Sequence, residues 1–65
     1  MGNRLFKEAR QFVQEAERIA SGEMNGHLQE AIAKAQNALT SAYANSTTAE
    51  KIQLSEFQQT LDQIK

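Results

Sequence analysis

The chain contains no cysteine, no proline and no tryptophan in its 65 residues. Without cysteine there is neither a disulfide framework nor a thiolate metal site, so the staples common in mini-proteins are missing. An excess of charge of one sign is also missing. Seven Lys and Arg stand against eight Asp and Glu, a net charge of -1, which argues against general nucleic-acid binding, because that needs a basic surface to displace counterions. No apolar run approaches the roughly 18 residues of a membrane span. The opening Met1-Gly2-Asn3-Arg4-Leu5-Phe6-Lys7 has no uninterrupted apolar stretch of the kind found in a secretory signal. Its Met1-Gly2 start looks like a myristoylation site, but Phe6 occupies the position where Ser or Thr is wanted. What remains is a small, soluble, intracellular protein, one domain at most for this length.

What is present is helical periodicity. Leu5, Ala9, Phe12, Ala16 and Ile19 recur with 4-3-4-3 spacing, one stripe of a helix over about residues 3–20. Phe6, Val13 and Ala20 repeat beside that stripe. Leu28, Ile32, Ala35, Leu39 and Ala42 repeat the pattern over about residues 26–44. Leu54, Phe57, Leu61 and Ile64 mark a third helix over about 48–64. No stretch alternates with the period of two that a strand requires.

The breaks have their own chemistry. Ser21-Gly22 reads as a helix stop, with Gly22 free to take the left-handed conformation. Asn25 is positioned to cap the second helix, and Met24 to fold back over the end of the core. Asn45-Ser46-Thr47-Thr48 is a run of short polar side chains that compete for backbone hydrogen bonds. Thr47-Thr48-Ala49-Glu50 matches a capping box, Thr47 as N-cap and Glu50 reaching back to it.

Short connections between helices of similar length predict an all-α, up-down-up three-helix bundle in residues 1–65. The alternative is a helical hairpin with a mobile third helix that self-associates, since the segment from Asn45 to Thr48 has the makings of a swap hinge. Small scaffolds without staples are marginal alone and often oligomerise. Phe6 and Val13 widen the stripe of the first helix, and Ile52 points away from that of the third. These three are the expected interface residues for a homo-oligomer or for an unidentified protein partner. The plainer reading of the same residues is that Phe6 and Val13 contact the third helix and Ile52 is a lone surface residue.

Candidate chemistry is sparse. His27 is the only histidine and has Glu30 one turn away, but a metal site needs three or four ligands, so only a dimer would complete one. The eight carboxylates are spread along polar faces among Lys, Arg and Gln, without the pocket that would set two of them to acid-base work. Neither a nucleophile elbow nor a glycine-rich phosphate loop occurs. A Leu/Ala-packed bundle has little room for a pocket of about 300 Å3. We therefore expect no catalytic residues, no metal and no cofactor. Arg4, Lys7 and Arg10 lie beside Leu5, Phe6 and Phe12, a basic amphipathic arrangement able to contact an anionic membrane or an acidic partner. Glu8, Glu15 and Glu17 dilute that charge, which makes membrane binding the lesser reading.

The stretch Ala-Leu-Thr-Ser-Ala-Tyr-Ala-Asn-Ser-Thr-Thr-Ala-Glu at 38–50, with the opening Leu5-Phe6-x-x-Ala9, resembles a family of very short helical proteins from spore-forming Gram-positive bacteria. That family has no assigned activity, cofactor or catalytic residues. The resemblance implies a cytoplasmic bacterial protein and carries no site over to this chain.

Overall fold

The computed structural model of the protein describes residues 3–65. Met1 and Gly2, and with them the myristoylation-like start, lie outside the described residues. Three helices follow in order: α1 (Asn3–Ser21), α2 (Leu28–Ala44) and α3 (Thr48–Ile64). Each packs against the other two, so α3 completes the core of its own chain. The expected three-helix bundle is therefore the architecture, and the hairpin with a detached third helix is not.

The core is built around alanine on one side and leucine on the other. Ala9 and Ala16 of α1 and Ala35 and Ala42 of α2 are buried. Side chains this small let two helix backbones approach closely, and α1 and α2 form the most extensive of the three helix pairs. Helix α3 docks on that pair through the buried Leu54 and Leu61, with Phe57 and Ile64 packed at the margin. The rings of Phe6 and Phe57 lie 5.8 Å apart at 50°, a tilted pairing of the kind that aromatic quadrupoles favour.

The α1 stripe sits differently from its sequence reading. At 100° per residue, Ala9, Val13 and Ala16 form the centre of the buried face, while Leu5, Phe12 and Ile19 are half-buried along one edge and Phe6 along the other. A helix that touches two neighbours needs a wider apolar arc than a two-helix seam does. The second neighbour, α3, draws the centre of that arc toward Val13.

The helix ends are as specific as the core. Gly22 has φ +86°. Its N–H donates to the Ile19 carbonyl at 3.2 Å, and the Glu23 N–H donates to the Arg18 carbonyl at 2.9 Å. This pair of bonds is a Schellman closure, which occupies carbonyls that the helix end would leave bare. At α3 the capping box is complete. Thr47 Oγ1 accepts from the Glu50 N–H at 3.3 Å, and Glu50 Oε1 accepts from the Thr47 N–H at 3.0 Å.

The start of α2 differs from the expectation. Its N-cap is His27, not Asn25, and the His27 side chain makes no capping bond. The α1–α2 connection is drawn inward instead: a Cβ at Gly26 would lie 2.8 Å from Cδ1 of Ile19. Chain that packs this closely over Ile19 is still turning at Gly26, so the helix begins two residues late. Met24 does not close over the core and stays 40% exposed.

Candidate interaction surface

The three expected interface residues fall into three different environments. Val13 is 1% exposed and belongs to the monomer core. Its assignment to an interface is corrected for the reason given above: it lies at the centre of the α1 apolar arc, not at its edge. Phe6 is half-buried against Phe57, so most of its ring already has a partner within the chain. Ile52 alone points outward, at 62% exposure. Because Leu54, Phe57 and Leu61 turn one side of α3 inward, a residue at position 52 falls on the opposite side of the helix.

The sequence reading missed what lies next to Ile52. Tyr43, near the end of α2, borders the same surface depression as Thr48, Lys51, Ile52, Ser55 and Glu56. This depression is open to solvent and encloses about 610 Å3, more room than the sequence suggested, but on the surface and not in the interior. Tyr43 follows Leu39 by four residues on the large-residue edge of the α2 stripe. It packs against the margin of the core, and the packing of α3 decides what it adjoins.

Arg4, Lys7 and Arg10 are all exposed. Arg4 is in a loose ion pair with Glu8 at 3.5 Å. Lys7 and Arg10 border a depression of about 250 Å3 with Gln11 and Gln14. The apolar side of α1 is covered by α2 and α3, so the outer face presents donors and cations without an apolar wedge. His27 and Glu30 are exposed, and no group of three or more metal-ligating side chains occurs among the described residues.

A polar cluster ties α3 to α2. Gln36 and Gln58 exchange reciprocal amide hydrogen bonds of 2.9 and 2.8 Å. Gln58 also donates to Asp62 at 3.0 Å, and Lys65 bridges Asp62 at 3.2 Å and Gln36 at 3.1 Å. The hydrogen bonds from Gln58 and then Lys65 hold the Asp62 carboxyl below its ordinary range, against a small opposing desolvation. Partners 22 residues apart leave no local sequence signal; only the local pairs, Gln58–Asp62 at i,i+4 and Asp62–Lys65 at i,i+3, lie at spacings that a sequence shows as neighbours. This cluster adds polar links to the apolar docking of α3 and has the character of a structural clasp.

No helix among the described residues is long and apolar enough to cross a membrane. No solved structure matches the chain. Comparison with known sequences identifies a curated relative, the uncharacterized protein YizC of Bacillus subtilis (strain 168), which is 48% identical over 65 residues and spans all of both chains. The model of a protein family of unknown function, DUF3813, matches residues 1–64. The resemblance to short helical proteins of Gram-positive bacteria thus has a definite referent, and the chain belongs to the DUF3813 family.

Proposed function

We propose that the chain is a non-catalytic, cytoplasmic interaction protein that self-associates through the outer face of α3, with Ile52 as its anchor. The observation that carries this reading is the 62% exposure of Ile52 beside the half-buried ring of Tyr43. Most large apolar residues of the three helix stripes pack into or against the monomer core, and Ile19 and Leu28 are half-buried, which leaves Ile52 as the apolar side chain best placed for a contact between chains. A lone exposed aliphatic residue is common on monomers; the aromatic neighbour turns this one into a small patch. The absence of nucleic acid, metal and cofactor from the reading follows from the charge balance and from the dispersal of the ionisable groups.

The test is absolute solution mass against concentration, with helicity followed in parallel. The mass is expected to rise above 7.3 kDa with concentration. Ile52→Asp should hold it at the monomer value with helicity unchanged, since the residue is outside the core. A mass that stays at 7.3 kDa throughout refutes the reading.

A second reading, contact with an anionic surface through Arg4, Lys7 and Arg10, is supported by Lys7 and Arg10 lining one depression. With the apolar side of α1 covered, such binding would be electrostatic and lost as salt screens it. Failure of the chain to pellet with anionic vesicles at low salt removes it.

A further inference from the structure

Resting on the self-association reading, the geometry points to a specific partner arrangement: a second copy of the chain, with the two α3 helices parallel about a twofold axis and Lys51 of each facing Glu56 of the other. Thr48, Ile52, Ser55 and Gln59 are all exposed and follow a 4-3-4 spacing along the outer side of α3. That is the spacing of the seam positions of a coiled coil, with Ile52 as its apolar layer. Lys51 and Glu56 both border the depression around Ile52. At 100° per residue they stand on opposite flanks of the seam, about 70° to either side of its centre line.

Charge then decides the direction. In a parallel twofold pair, opposite flanks meet, so Lys51 of one chain reaches Glu56 of the other, five positions further on, and symmetry makes the contact twice. This is the relation through which flanking charges select partner and orientation in coiled coils. In an antiparallel twofold pair each flank meets its own copy, which sets Lys51 beside Lys51 and Glu56 beside Glu56. Neither residue is in an ion pair among the described residues, so both charges are free to act between chains.

The same features set the strength. The seam runs about 18 Å at 1.5 Å per residue and has one apolar layer, widened on one flank by Tyr43. Stable interfaces bury roughly 1,200 Å2 or more around an apolar centre, which one apolar layer supplies poorly, and exposed ion pairs add direction more than affinity. The dimer is accordingly weak and reversible.

The experiment uses the full chain at about 10 μM to about 1 mM, the range in which weak dimers form, with mass measured by sedimentation equilibrium. Lys51→Glu and Glu56→Lys are each expected to weaken dimerisation about three- to tenfold at low salt, and the double variant to restore it to within about twofold. Gln59→Cys introduces the chain's sole thiol at a seam position that faces its own copy only in the parallel pair. It should oxidise to a disulfide-linked dimer, while Gln53→Cys, off the seam, should not. Circular dichroism of each variant checks that these exposed substitutions leave the bundle folded. A dimer indifferent to the charge reversals, or one without the Gln59→Cys crosslink, overturns the parallel arrangement and leaves self-association standing. A monomer at every concentration overturns both.

Discussion

Val13 and Ile52 were equivalent in the sequence, each an apolar residue beside or away from a stripe, and the structure separates them completely. Truncating each to alanine measures the difference. Val13 is 1% exposed; removing its two methyl groups forfeits about 0.8 kcal/mol per carbon in transfer free energy and adds a cavity term among the surrounding leucines and alanines. Alanine's better helix propensity returns about 0.5 kcal/mol. The net loss is about 2 kcal/mol, which in a domain of this size lowers the thermal midpoint by about 8–16 °C. Ile52 is 62% exposed, so its truncation forfeits only a minor share of its transfer energy and opens no cavity. Helix propensity offsets most of that share, and the change should stay within about 0.5 kcal/mol. Thermal and urea unfolding at about 10 μM, followed by far-ultraviolet circular dichroism, reads both. Repeating the measurement at higher concentration separates folding from assembly, because a contact made only between chains stabilises in a concentration-dependent way. The reasoning is refuted if Ile52→Ala costs as much as Val13→Ala in dilute solution, for then the outer face of α3 is part of the core.

Three further outcomes are expected. Gly22→Ala should destabilise by about 1 kcal/mol in urea unfolding, because φ +86° strains any L side chain even though nothing lies within 4 Å to clash with it. Thr47→Ala removes one half of the capping box and should cost about 1 kcal/mol; Thr47→Ser, which keeps the hydroxyl, should cost far less in the same assay. Asp62 has its carboxyl held below the ordinary value of 3.8. A depressed folded value makes its contribution fully present above the unfolded value and lost as pH falls through the folded one. Stability measured down an acid titration should therefore decline below about pH 3.8, and Asp62→Asn should remove that part of the decline; an unchanged acid limb would show that the Gln58 and Lys65 bonds do not persist in solution.

The candidate surface was legible in part. Ile52 could be placed outside the core from its angle to Leu54, Phe57 and Leu61, because those three alone define the inner side of α3 and no other element needs to be known. Phe6 and Val13 could not be placed the same way. Their roles depend on how many neighbours α1 has, and a 4-3-4-3 stripe reads identically whether one helix or two lie against it. Tyr43 was visible as a residue but not as a neighbour of Ile52, since the two come together only when α3 packs across the end of α2. The reciprocal Gln36–Gln58 bonds were hidden for the same reason: two polar residues on separate helices have no periodicity to betray them.

Three helices, the Gly22 stop, the Thr47–Glu50 start of α3 and the apolar side of each helix are written in the chain alone, because they follow from interactions within four residues of chain. The centre of the α1 face, the late start of α2 over Ile19, the clasp around Asp62 and the patch of Tyr43 and Ile52 arise only on packing. Each of these depends on the distance and angle between helices, and those are set by alanine meeting alanine across one pair and leucine filling the space across the other.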